Sequence, residues 1–202
     1  MVATFLSPIL LLFASSFWTQ SVRSLECHGL NLHGPEGDGI GVTGGCDKKL
    51  VEWTINKDSL NDLKALLKEG NVYVRLRGSG AIPLKDECIG PLGGNLTIDG
   101  TMAEITITGP KFLHLGSKSV NVVIAGLCFK GNDNAIDMTD GGGQVWVTRN
   151  SFFSTSFGSP TAFRGFNQGK DSGTQSIHVS RNWYGPSSYG VSKKSATRAS
   201  LN

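Results

Sequence analysis

Val122-Val123-Ile124-Ala125-Gly126-Leu127-Cys128-Phe129, Val145-Trp146-Val147-Thr148-Arg149-Asn150-Ser151-Phe152 and Ile177-His178-Val179-Ser180-Arg181-Asn182-Trp183-Tyr184 superpose position by position. Counted from 122 to 145 and from 145 to 177, the offsets are 23 and 32 residues. A repeat in this range, made of short strands and glycine-rich turns with no helix between them, predicts a solenoid. A single coil cannot bury its apolar face, so the core forms by stacking coils. In such a stack the alternating Val and Ile positions point inward and Phe152 lies over Tyr184. Asn150 over Asn182 forms a side-chain ladder in one turn.

Working outward, earlier β-rich runs obey the same punctuation: NVYVRLRG from 71, NLTIDG from 95 and EITITG from 104. A β-sandwich also accommodates several short strands, but it gives no reason for the segments at 145 and 177 to match. One helix precedes the strands. Asp58 or Ser59 caps it, Leu60, Leu63, Leu66 and Leu67 fall at helical spacing, and Gly70 closes it. Its leucine stripe reads as core packing that covers the N-terminal end of the stack and protects the strand edges.

The chain has 202 residues, of which 27 are Gly, and 19 Lys+Arg against 16 Asp+Glu give a net charge of +3. That bias is too small for a nucleic-acid footprint, and the apolar content is enough for a core, which excludes a wholly disordered chain. Glycine without a Gly-X-Y period excludes collagen. FLSPILLLFASSFW, from Phe5 to Trp18, is shorter than the ~20 residues that span a bilayer. It reads as the core of a secretory signal peptide over 1–24, with cleavage before Leu25, although the segment ahead of it has no Lys or Arg. No later run is apolar enough to span a membrane. The folded domain is expected over 25–195, as a monomer, with 196–202 an unstructured tail.

Export gives the cysteines meaning. Cys27, Cys46, Cys88 and Cys128 are an even set, so one or two disulfides are expected, with Cys27–Cys46 the favoured pair and three connectivities open if all four join. Asn95-Leu96-Thr97 is a glycosylation sequon, which needs an exposed loop. His28 to Asp47 is glycine-rich and reads as irregular, and without a GK[ST] it is no phosphate loop. His28, His33, His114 and His178 lack HxH or HExxH spacing, which argues against a histidine metal site. Trp53, Trp146 and Trp183 read as packing rather than sugar platforms, with Trp183 the one to test.

Thr43-Gly44-Gly45, the helix before a strand, NLTIDGTMAEITITGP, NVVIAGLCFKGNDNAIDM, QVWVTRNSFF and SIHVSRNWY follow one another in an order that resembles the pectate lyase-like proteins of polysaccharide lyase family 1. The resemblance covers about residues 43 to 195. It implies an all-β fold, a right-handed parallel β-helix with one short N-terminal capping helix. It also implies calcium-assisted β-elimination of polygalacturonate or pectin in the extracellular space, with no nucleic-acid partner and no membrane after signal removal.

The chemistry of that reaction sets the residue types. Removing the proton at C5, beside a carboxylate, requires a cation on that carboxylate and a base at the proton. The family holds calcium with carboxylates, as a hard cation needs. Where its motif reads Asp-Gly-Asp-Ala-Ile, this chain has Asn132-Asp133-Asn134-Ala135-Ile136, so Asp133, Asn134, Asp137 and Asp140 are the metal candidates. Val-Trp-Ile-Asp-His of the family is Val145-Trp146-Val147-Thr148-Arg149 here. The family's Asp-Gly-Leu-x-Asp falls on Ser159 to Gly165, which holds no carboxylate. Lys193 and Lys194 match the region of its substrate lysine and, with Arg181, are the catalytic candidates; Arg149 and Arg164 are the substrate-binding candidates. The family's later Arg-x-Pro-x-x-Arg segment does not occur in this sequence, as in a shortened or diverged relative. Two alternatives stand beside the calcium enzyme: an inactive polyuronate-binding β-helix, and a calcium-independent pectin lyase-like enzyme in which Arg164 replaces the cation.

Overall fold

The computed structural model describes residues 24–33, 41–85, 88–110, 113–131, 134–140, 142–153, 161–164, 177–185, 189–192 and 199–201. β1 (Ser24–Cys27) and β2 (Leu30–His33) make an antiparallel hairpin. β3 (Lys49–Thr54), α1 (Leu60–Glu69) and β4 (Val72–Arg77) follow. Strands then succeed one another: β5 (Ser79–Pro83), β6 (Leu96–Asp99), β7 (Glu104–Thr108), β8 (Leu113–Gly116), β9 (Val120–Ala125), β10 (Cys128–Lys130) and β11 (Asn134–Asp140). The series continues with β12 (Gly143–Thr148), β13 (Ser151–Phe153), β14 (Thr161–Arg164), β15 (Ile177–Ser180), β16 (Trp183–Tyr184), β17 (Tyr189–Ser192) and β18 (Ala199–Leu201).

Apart from the hairpin, the strands sort into a seven-stranded sheet in the order β18-β15-β12-β9-β6-β4-β3, a five-stranded sheet β16-β13-β10-β7-β5 and a four-stranded sheet β17-β14-β11-β8. A full coil lays one strand into each sheet, as β9, β10 and β11 do, and the next coil repeats the path in parallel register. This is a parallel β-helix. Its register is the one the three repeats dictate: Val122 pairs with Val145 and Val145 with Ile177. The inward rows Val72–Leu96–Val122–Val145–Ile177 and Val74–Ile98–Ile124–Val147–Val179 are buried throughout. In the five-stranded sheet Phe129, Phe152 and Tyr184 stack face to face, with ring centroids 5.1 and 5.4 Å apart.

The helix begins at Ser59, whose hydroxyl accepts from the Asn61 N–H at 3.1 Å, and ends at Gly70. Asp58 instead accepts from Thr54 N, closing the turn out of β3. Leu63 and Leu67 enter the main core beside Trp53. Because β3 is the edge of the seven-stranded sheet, the helix sits at that end of the stack.

Asparagines set two corners. The Asn150 Nδ2 donates to Asn182 Oδ1 at 3.1 Å and to the carbonyls of Ile124 and Thr148, while its Oδ1 accepts from Leu127 N. A second ladder runs through Asn71, Asn95 and Asn121, each in the left-handed conformation that asparagine tolerates. Asn121 donates to Asn95 Oδ1 at 3.0 Å, and Asn95 donates to Asn71 Oδ1 at 3.1 Å. At the sequon the Asn95 amide belongs to the ladder, Leu96 and Thr97 are buried, and the Thr97 hydroxyl accepts from Gly45 N.

The N-terminal stretch is more ordered than its composition suggests. The hairpin and residues 41–47 lie across the outward face of the seven-stranded sheet, where Cys27 and Val42 pack against Tyr73, Val123, Ala125 and Trp146. The Cys27–Cys46 disulfide ties this strap, with Cα atoms 5.1 Å apart, while Cys88 and Cys128 are free thiols. Asn121 Oδ1 accepts from Thr43 N and Gly44 N. A Cβ on Gly45 would fall 2.2 Å from Val72 O, so only glycine fits that crossing. Beneath the strap, Tyr73 donates to Asp99 Oδ2 at 2.7 Å, Arg75 Nε donates to the same oxygen at 3.3 Å, and Arg75 also donates to His28 O. Burial, with the Asp99 carboxylate adding to it, pushes the Tyr73 phenol well above its ordinary range.

One further expectation changes: Ala199–Leu201 is not unstructured but pairs with Ile177–Val179, where the edge of β15 supplies the backbone partners that three residues cannot supply themselves. Ser24, the last residue of the segment read as a signal peptide, opens β1 opposite His33.

Candidate functional site

The outward face of the four-stranded sheet is built from strands too short to announce themselves. In β8, Leu113 and Leu115 point into the core and leave His114 between them on the outer side. In β11, Ile136 is buried in register with Leu113, and Asp137 takes the position opposite His114. The backbone of His114 is fixed on its other edge: its N–H donates to Ile89 O and its carbonyl accepts from Leu92 N, each at 2.8 Å. A Cβ on Gly90 would lie 2.4 Å from His114 O, so that approach needs glycine.

These constraints bring His114 Nδ1 to 3.8 Å from Asp137 Oδ2. The distance exceeds a direct hydrogen bond but suits an ion pair with a protonated imidazole. Asp137 is 4 % exposed. His114 also lines a cleft of about 310 Å³ with Lys68 at the C-terminal end of α1, Pro91, Leu92, Gly116, Ser117 and Lys118. Lys68 and Lys118 are exposed. An imidazole with a carboxylate beside it, in a cleft lined by two lysines, has the groups needed for proton removal from a substrate that carries negative charge.

The residues expected from sequence distribute over three places. Asp137 and Arg164 share a row, with His114 before them and Ser192 after. Asn134 pairs with Thr161 on the same sheet, and Asp140 pairs with Gly116 across an irregularity in the register. Arg149 and Arg181 are elsewhere: both occupy the left-handed position between Thr148 or Ser180 and the Asn150–Asn182 ladder, where the chain turns from the seven- to the five-stranded sheet. Arg181 is thus on a different sheet boundary from Asp137. Asp133, Lys193 and Lys194 lie outside the described residues, as do residues 1–23 of the signal segment.

Calcium requires six to eight oxygens. Among the described residues there is no group of three or more His, Cys, Asp or Glu that could hold a metal. Asp137 supplies one carboxylate and faces His114, so the described side chains do not by themselves compose a calcium site.

His114 belongs to no paired-histidine spacing, and Lys68 and Lys118 belong to no family motif, so nothing in those patterns joins the three. The Leu-His-Leu alternation from 113 to 115 was the available signal: in a strand with leucines inward, the histidine faces out. Compared with protein-family models, with curated proteins and with solved structures, the chain matches none.

Proposed function

We propose that this chain is an exported pectate lyase-like protein that cleaves polygalacturonate by β-elimination at the outward face of the four-stranded sheet. The observation that carries this reading is buried Asp137 set behind His114 at the wall of a cleft that also holds Lys68 and Lys118. The parallel β-helix is a scaffold that carbohydrate-active enzymes and binding proteins use. The Cys27–Cys46 bridge suits the oxidising compartment to which a signal peptide over 1–24 would deliver the chain.

In this reaction the neutral His114 imidazole takes the C5 proton of a uronate. The electron pair forms the C4–C5 double bond as the C4–O bond breaks, and the leaving oxygen takes a proton from water. Asp137 stabilises the imidazolium. Lys68 and Lys118 offset the charge of the uronate carboxylate, which otherwise opposes removal of that proton. A calcium-assisted form would add Asp133, Asn134 and Asp140 to Asp137 as ligands.

The test is ultraviolet absorbance of unsaturated product from polygalacturonate, with calcium and then with chelator. Product is expected, and His114→Ala lowers kcat by about a hundredfold or more, while Lys118→Ala raises KM. Chelator-sensitive product assigns the reaction to the calcium form. Chelator-resistant product from polygalacturonate that is lost in Lys68→Ala and Lys118→Ala assigns the cationic role to those lysines, and chelator-resistant product from methylated pectin that is lost in Arg164→Gln assigns it to Arg164. A second reading is a polyuronate-binding β-helix without turnover, in which the cationic residues hold the polymer and Asp137, the one carboxylate described in its row, serves His114 alone. Binding of the polymer by a folded chain that yields no product would establish it.

A further inference from the structure

Away from the cleft, the five-stranded sheet carries an aromatic pair on its outward side. Trp183 is 50 % exposed and Phe153 is 37 % exposed, yet they belong to successive coils and their ring centroids are 4.6 Å apart at a tilt of 45°. The alternation that turns Phe152 and Tyr184 towards the core, the first buried and the second half-buried, forces both neighbours outward. Gly185 completes the arrangement from beneath. A Cβ there would lie 2.8 Å from Trp183 Cζ3 and 3.0 Å from Phe153 Cδ1, so the absence of a side chain is what lets the rings settle side by side.

Cations frame the pair. Lys130 is exposed on the neighbouring strand in register with Phe153. Arg149 and Arg181 are exposed at the turn that leads into β13 and β16, two residues before the register-paired outward positions Ser151 and Trp183. None of the three has an acidic partner among the described residues; Glu104, on β7 of the same sheet, accepts a hydrogen bond from Ser79. An exposed aromatic surface rimmed by unpaired guanidinium and ammonium groups has two chemical demands: a flat apolar face to stack on and negative charge at its margin. A second copy of this chain answers the first demand but brings the same cations. A uronate chain answers both, since a pyranose ring presents a C–H face and carries its carboxylate at the edge.

The geometry points to a second carbohydrate-binding surface, in which Phe153 and Trp183 stack the sugar rings of an acidic polysaccharide and Lys130, Arg149 and Arg181 pair with its carboxylates. This deepens the polyuronate reading by giving the polymer a contact on a different sheet from the cleft.

Electrophoresis of the folded chain through gels containing polygalacturonate, or neutral dextran as the comparison, tests it. Retardation by polygalacturonate alone is expected. Trp183→Ala weakens the apparent affinity about tenfold, and Arg149→Gln with Arg181→Gln weakens it and flattens its dependence on salt. Met102→Ala, at an exposed position far along the chain from the pair, keeps the wild-type retardation. Trp183-independent retardation overturns the surface whatever the turnover, and so does a wild-type chain that is not retarded. A Trp183→Ala variant that alters sedimentation from dimer to monomer without altering retardation also overturns it, in favour of self-association. If retardation depends on Trp183 while wild-type chain yields no unsaturated product, the surface stands and the elimination reading falls.

Discussion

Two outward faces of the same β-helix carry aromatic residues at equivalent points of the strand alternation, and they meet different fates. On the seven-stranded sheet the outward row Tyr73–Thr97–Val123–Trp146–His178 is buried, and Tyr73, Thr97, Val123 and Trp146 meet the N-terminal strap. On the five-stranded sheet Phe153 and Trp183 face solvent. Strand geometry decides only which side of the sheet a residue takes. Whether that side becomes core depends on a segment that must cross it, here tied by Cys27–Cys46 and by the Asn121 side chain. The covered face can afford a polar network, because Asp99 receives hydrogen bonds at both carboxylate oxygens, from Tyr73 and Arg75 on one and Thr101 on the other. Among the described residues no segment crosses the other face as the strap does, which leaves Phe153 and Trp183 the apolar surface that the proposed polysaccharide contact uses.

The sharpest way to break this comparison is at Trp146. The ring is 1 % exposed, and its Nε1 donates to Ser180 Oγ at 3.1 Å. Trp146→Ala should cost about 4 kcal/mol in urea unfolding, the usual range for emptying a buried indole. A loss below about 1 kcal/mol would mean that the strap does not make this face a core.

The strap itself comes next. The disulfide closes a loop over a sequence separation of 19 residues, for which chain entropy gives about 3 kcal/mol. Replacing Cys27 and Cys46 by Ala should lower stability by that order and raise acrylamide quenching of Trp146, while leaving the stacked coils folded. Unchanged quenching would show that the Asn121 and Gly45 contacts hold the strap unaided.

What could be read in advance follows the same division. The inward rows were legible because Val and Ile recur in register, and the Asn150–Asn182 and Phe152–Tyr184 stacks were visible as matched letters. The strap was not legible: its partners lie on another sheet face many residues away, and glycine-rich sequence looks irregular whether or not something holds it. The second asparagine ladder left a trace, since Asn71, Asn95 and Asn121 each stand immediately before a β-run, but a sequon at Asn95 offered a competing local meaning. The four-stranded sheet was legible only in part. LHLG and TAFR are too short and too poor in β-branched residues to signal strands, and they form because the neighbouring coil presents a paired edge. That is why the placement of His114 opposite Asp137 was not legible, while Asp137 itself stood inside a family-like motif.

A smaller effect tests the polar part of the covered face. With its phenol pushed upward in the folded state, Tyr73 keeps its proton at a pH where the unfolded chain loses it. The contribution is therefore fully present below pH ~10 and is lost as pH rises from there towards the folded value. Stability should fall by up to about 1.4 kcal/mol per pH unit from this one proton. Tyr73→Phe should remove that part of the slope, leaving the part due to Tyr184, which burial also raises. Identical slopes in the two proteins would mean that Tyr73 ionises as freely when folded as when unfolded.

The smallest change is expected where the eye first falls on the surface. Trp183 has a ring as large as Trp146 and an aromatic neighbour at 4.6 Å, but half of it is already in water. Removing it gives up less apolar burial and leaves no enclosed cavity, so Trp183→Ala should cost less than about 1 kcal/mol. If the two tryptophans cost the same, Trp183 is a structural member of the stack and its exposure is incidental. If Trp183→Ala is nearly silent in unfolding but impairs retention on polygalacturonate, the two faces differ as their covers imply: one aromatic row serves the fold, and the other is kept clear for what the protein meets.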